Sequence, residues 1–159
     1  MAYTGYDYTD KVGTVVADLS SINYNGNIAS NGYQNKFPTG QCTWYCFGRA
    51  YERARIWLQF NVAGDNYASR WLDRVVTSSG GAVELRDASK DPVANCIAVF
   101  SDGGYGHVVY VEDVEDDYVY FTEGNGWKAN GEVAKVKLSN FKGFWSQTLL
   151  GYLRLNPIV

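Results

Sequence analysis

Hydrophobic and polar positions divide the chain into two regimes. From Val93 onward apolar residues alternate with period two, which predicts strands at about Cys96 to Phe100, His107 to Val114, Tyr118 to Glu123, Val133 to Leu138 and Leu149 to Leu155. Before that point the period is helical. Trp44, Gly48, Tyr51, Ala54 and Leu58 recur at three- or four-residue steps after Pro38-Thr39-Gly40, where Thr39 and Gly40 suit a cap. Tyr67, Trp71, Leu72 and Val75 predict a second helix, closed by Ser79-Gly80-Gly81. Helices followed by antiparallel strands give an α+β fold.

Residues 1–35 read as an N-terminal extension or linker, and residues 36–159 as the folded domain. The extension has one short apolar pattern at Val12, Val15, Val16 and Leu19, compatible with a single helix. Its Asn25-Gly26 and Asn31-Gly32 pairs are turn signals within a loop from Asn23 to Asn35. Downstream, Glu115-Asp116-Asp117 is an acidic turn between the second and third strands. A hairpin pairing Val114 with Asp117 sets His107 opposite Gly124, with Glu123 and Asn125 as its nearest cross-strand neighbours. A slip of one residue changes which of the two faces the imidazole.

Composition narrows the function. At 159 residues and 46% hydrophobic, the chain can bury a core without disulfides or metal. A net charge of −3 leaves no electrostatic footprint for nucleic acid and no polybasic membrane patch. No apolar stretch approaches the roughly 18 residues of a membrane span, and no basic cluster followed by an apolar run opens the sequence. A soluble chain without a visible signal peptide is expected, with no nucleic-acid or membrane partner. Three cysteines, Cys42, Cys46 and Cys96, exclude a pure disulfide framework. His107 is the single histidine, so any chemistry that needs imidazole must use it.

A nucleophilic thiol needs an environment that favours its anion, a base within reach and a group that orients the base. Cys42 falls in the first turn of the predicted helix, where unpaired N–H groups and the macrodipole favour negative charge. His107 begins a strand, and Glu123 or Asn125 ends the neighbouring one, where either can accept from the distal ring nitrogen. The Cys42 backbone N–H, with the Gln41 side chain, is a candidate oxyanion donor, although Gln41 is equally suited to capping the helix.

Gly40-Gln41-Cys42-Thr43-Trp44-Tyr45, Gly106-His107-Val108-Val109-Tyr110-Val111 and Glu123-Gly124-Asn125 resemble, in order, the three signatures of the CHAP family, the cysteine, histidine-dependent amidohydrolases/peptidases. Asp65-Asn66-Tyr67-Ala68 and the strand entry from Pro92 to Phe100 also follow the family's order, so the resemblance runs from about Tyr33 to Arg154. It implies a papain-like (NlpC/P60-like) fold, with residues 36–159 as the catalytic domain. It also implies hydrolysis of bacterial peptidoglycan, at the amide joining glycan to stem peptide or within the stem and cross-bridge peptides. Cys42 is then the nucleophile, His107 the base, Glu123 the orienting group and Asn125 an accessory polar residue. Some family members bind calcium through Asp residues just before the cysteine; Gly32 to Gln41 contains no carboxylate, so no calcium is expected there and no cofactor at all. Wall targeting would come from another subunit or a wall-binding domain, and the site of action would be the cell wall, as for a phage endolysin, a virion-associated enzyme or an excised domain of a secreted protein.

Rival readings remain. Cys46 and Cys96 suit buried apolar positions. Three cysteines and one histidine also match the ligand count of a zinc site, but the four-residue step from Cys42 to Cys46 does not suit a tight knuckle. Trp44, Tyr105 and Trp127 are the aromatics nearest the predicted site, and Trp127, in a Gly-rich loop, is the candidate for substrate contact. A wall-recognition module without turnover, or a cysteine amidase on a non-wall substrate, would share these motifs.

Overall fold

The computed structural model describes residues 37, 38, 40–128 and 131–157. The helix expected at Val12 to Leu19 and the loop at Asn23 to Asn35 lie outside the described residues. Helix α1 (Cys42–Ala54) is followed by a 3-10 turn (Ala68–Arg70), a one-turn helix α2 (Trp71–Arg74), strands β1 (Val83–Asp87), β2 (Cys96–Ser101), β3 (His107–Glu115), β4 (Tyr118–Thr122) and β5 (Ala134–Lys137), a one-turn helix α3 (Leu138–Phe141) and strand β6 (Thr148–Leu155). The strands form one antiparallel sheet in the order β1-β6-β2-β3-β4-β5. The α+β architecture predicted from the alternation of periods is therefore present.

The sheet is covered on both faces. On one, Ile97, Val99, Val108, Tyr110 and Leu153 pack with α1 and with an aromatic group that includes Phe37, Phe47, Phe60 and Trp71. On the other, Ala98, Phe100, Val109, Val111, Phe121 and Tyr152 pack with Phe141, Phe144 and Trp145. The aromatic group also covers α1 on the side away from the sheet, so every residue from Thr43 to Ala50 is buried rather than one stripe alone. The helix ends earlier than the apolar pattern suggests. Arg55 adopts φ 59°, and the amides of Arg55 and Ile56 bond back to the carbonyls of Tyr51 and Ala50, a left-handed termination that turns Leu58 into the core from a non-helical segment.

The second predicted helix shrinks to a 3-10 turn and one α turn. The Asn61 amide donates to the Arg74 carbonyl, the Val76 amide to the Gln59 carbonyl, and Phe60 bridges Val75, so pairing with 59–61 pulls the chain out of the helix. Strand β1 was not expected. Of its five residues only Val83 is buried, and an edge strand with alternating charges carries little apolar signal.

The β3–β4 hairpin corrects the predicted register. Glu115 pairs with Tyr118 across a two-residue turn, with Asp116 at φ 53° and Asp117 at φ 66°, the left-handed geometry that matches strand twist. A bulge between Val111 and Asp113 then shifts the partners by one residue, and the ladder ends at Tyr110 and Thr122. The bulge directs Glu112 toward α1. There its carboxylate, fully buried, receives Arg49 Nε at 2.8 Å and Nη2 at 3.1 Å, Arg53 Nη1 at 3.4 Å and the Thr122 hydroxyl at 2.6 Å.

Removing one partner of a buried ion pair strands the other in a poor solvent. Arg49→Met is expected to lower unfolding free energy by about 3 kcal/mol in urea titration; a loss below about 1 kcal/mol, the range of surface pairs, would contradict an anchoring role.

Candidate active site

The N-terminus of α1 meets the start of β3 and the end of β4 at one end of the sheet. Gln41 is the N-cap residue with extended backbone, and its carbonyl accepts the Tyr45 amide at 2.9 Å. Its side chain makes no capping bond. Instead, Gln41 Oε1 accepts Asn125 Nδ2 at 2.9 Å, so two predicted site residues are tied to each other beside Cys42. The partly buried Cys42 is the first helical residue, where its backbone N–H has no helical acceptor.

His107 and Glu123 are joined by alternation on the sheet. Carrying the register past the last pair sets Glu123 across from Val109, and His107 is two residues further along the same face, within diagonal reach of a long side chain. His107 Nε2 lies 2.5 Å from Glu123 Oε1. That leaves Nδ1 for Cys42, the other side chain whose hydrogen bonding and charge act on the imidazole. Glu123 is fully buried, and its second oxygen accepts the Trp127 amide at 2.8 Å. The hairpin argument, built on a different register, left Glu123 and Asn125 both open, and the imidazole bonds Glu123.

Two glycines permit this closeness. A Cβ on Gly126 would sit 2.0 Å from Glu123 Oε1, inside the space the carboxylate occupies. A Cβ on Gly124 would lie 2.6 Å from the Gln41 carbonyl oxygen and 2.8 Å from Tyr45 Cβ, forcing the loop after β4 away from α1.

Burial by itself lowers the pKa of His107, because it penalises the imidazolium. Hydrogen bonds and charge from Cys42 and Glu123 outweigh it and raise the value to about 9. At neutral pH the ring is therefore an imidazolium held between the Cys42 sulfur and a carboxylate. The other cysteines lie in a different environment. Both are fully buried, and burial pushes the Cys96 thiol up to about 12 and the Cys46 thiol well above its usual range.

A cleft of about 750 Å³ opens over the pair, lined by Gln41, Cys42, Tyr67, Tyr105, His107 and Asn125 among others. Trp145 and Gln147, which the sequence reading did not single out, also line it. The Trp145 ring centroid lies 5.4 Å from that of His107. Trp127 is exposed, sets its ring tilted against Phe144 with centroids 5.0 Å apart and with Lys128 over its face, and is not among the residues lining the cleft. Trp44 is buried in the core. Among the described residues no group of three or more His, Cys, Asp or Glu side chains is placed to hold a metal ion.

Comparison with known proteins gives the family and the fold. Residues 32–125, more than half of the chain, match the CHAP domain. The chain belongs to the CHAP domain family. This CHAP domain is 36% identical over 93 residues to the probable autolysin SsaALP of Staphylococcus aureus, covering 58% of the chain and 31% of that protein. It is 33% identical over 97 residues to the N-acetylmuramoyl-L-alanine amidase sle1 of Staphylococcus epidermidis, covering 61% and 27%. The matched part thus spans less than a third of those relatives. In fold it is similar to the crystal structure of Ly7917 with the hydrolyzing product of MDP, with a TM-score of 0.55 and 16% identity over 83% of this chain and 61% of that one.

As the only histidine, His107 can be followed without assignment ambiguity. Its NMR titration midpoint is expected near 9, and Glu123→Gln or Gly126→Ala should move it down. Since the folded value lies above the unfolded 6.5, the imidazolium's contribution to stability is complete below about 6.5 and disappears as pH rises through about 9. A midpoint at or below 6.5 would contradict the arrangement.

Proposed function

We propose that this CHAP domain hydrolyses an amide bond of bacterial peptidoglycan, at the junction of glycan and stem peptide or within the peptides, by covalent catalysis through Cys42. The observation that carries the reading is the contact of His107 with both Cys42 and a buried Glu123 at the floor of an open cleft. The names of the curated relatives, an autolysin and an N-acetylmuramoyl-L-alanine amidase, support peptidoglycan as the substrate.

In this reading the Cys42 thiolate attacks the carbonyl carbon while His107 stands beside it as imidazolium. The Cys42 backbone N–H and the Gln41 amide nitrogen receive the oxyanion; the bond from Asn125 to Gln41 Oε1 holds that amide with its nitrogen end available. Nδ1 gives its proton to the leaving amine, the C–N bond breaks, and a thioester remains on Cys42. The now neutral imidazole takes a proton from water, whose oxygen attacks the thioester and releases the acid. Glu123 keeps the ring oriented in both steps and stabilises its charged form.

Purified Gram-positive peptidoglycan should release soluble fragments with this protein and none with folded Cys42→Ala, and mass spectrometry of the new ends identifies the bond. Activity should fall as pH rises through about 9, where the imidazolium loses its proton. Gln41→Ala should cost on the order of a hundredfold in kcat. Equal release by Cys42→Ala would overturn the mechanism, and binding without release by the native protein would favour a recognition module.

A further inference from the structure

Two residues that line the cleft each carry a buried polar atom without a hydrogen-bond partner: the indole Nε1 of Trp145 and Oε1 of Gln147. Both residues line the same cavity as Cys42 and His107. A buried donor or acceptor left unsatisfied loses its hydration for no return, so native proteins hold few of them, and each calls for a reason. Packing does not supply one. The Trp145 ring lies in a cluster with Phe100, Phe121, Phe141 and Phe144, contacts that account for an aromatic ring but make no use of its N–H.

We propose that Trp145 and Gln147 form a subsite for the backbone of an extended substrate peptide, the indole N–H donating to a carbonyl and Gln147 Oε1 accepting an N–H. The assignment rests on reading the cleft as that of a peptide-cleaving hydrolase. A residue of an extended chain presents its N–H and C=O on the same side, as in the hydrogen-bonded pairs of an antiparallel ladder. One donor and one acceptor, carried two residues apart on one segment of the cleft lining, match that pattern. Sugar hydroxyls donate and accept interchangeably and require no such pair. Because Trp145 packs beside His107, which gives its proton to the departing amine, the subsite holds the leaving-group side of the substrate. Both atoms are shielded in the free protein, so the 142–147 segment between α3 and β6 must yield as the peptide enters.

Two sets of measurements test this with Trp145→Phe and Gln147→Leu. The first is KM and kcat on a soluble muropeptide fraction released from Gram-positive walls by a muramidase. The second is affinity for the same fraction in the Cys42→Ala background. Each substitution is expected to raise KM and Kd about fivefold with kcat nearly unchanged. The rate of Cys42 alkylation by iodoacetamide should stay the same, and the melting temperature should change only by what the lost ring volume costs in Trp145→Phe, because the free protein loses no hydrogen bond. Unchanged KM and Kd would overturn the subsite, as would a lowered melting temperature with unchanged affinity, the sign of a purely structural role. An altered alkylation rate would overturn it too, since Trp145 would then act through His107. Binding without hydrolysis by the native chain would leave the subsite standing and overturn the proposed catalysis; failure of the Cys42→Ala protein to bind the fraction would overturn the subsite.

Discussion

The buried cluster of Arg49, Arg53, Glu112 and Thr122 is the constraint on which the remaining geometry depends. Apolar packing alone is non-directional and would tolerate α1 sliding or rotating over the sheet. A two-pronged guanidinium–carboxylate contact has a fixed geometry. With Arg49 seven residues along the helix from Cys42 and Glu112 five along β3 from His107, a single crosslink sets both reactive side chains relative to one another. Desolvation makes the pair costly to break, so its strength lies in the penalty for displacement rather than in a large net contribution to folding.

Close backbone approach completes the constraint from the opposite side. The loop after β4 presses onto the helix N-terminus at Gly124 and folds around the Glu123 carboxylate at Gly126, where any side chain would collide. The carboxylate is thereby buried with both oxygens engaged, one by His107 and one by the Trp127 amide. Such a group can orient an imidazole and stabilise its charge without being available to water. The protein stores reactivity at a point where three chain segments cannot move independently.

Much of this was legible in the sequence, for identifiable reasons. Period-two alternation located five of the six strands because β2, β3 and β4 are covered on both faces or at a boundary, while β1, mostly exposed at an edge, lacked the signal. Cys42, His107 and Glu123 stood out through local motifs, and the structure brings all three together. Gln41 and Asn125 were named separately, but their mutual hydrogen bond depends on a long-range approach that no local pattern encodes. The hairpin register failed because the acidic turn was placed one residue early and the bulge at Glu112 leaves no local signal, and their shifts partly cancel at His107. Glu112 lies inside a strand with no motif around it, and its partner Arg49 lies 63 residues away. Trp145 and Gln147 follow a short helix with no recognisable motif, whereas Trp127, favoured for its Gly-rich loop, stands outside the cleft and contributes only its backbone amide to Glu123.

The chemistry proposed for this CHAP domain follows from one unequal distribution: a single cysteine of three meets the imidazole, while burial holds the other two as neutral thiols. The most direct test is the alkylation rate of each cysteine at pH 6, read by mass spectrometry in the native protein and in His107→Ala. The account predicts rapid labelling of Cys42 alone in the native protein, a loss of at least about tenfold in His107→Ala, and no labelling of Cys46 or Cys96 in either folded protein. Labelling of Cys42 at the same rate without His107, or equally rapid labelling of Cys46, would contradict it.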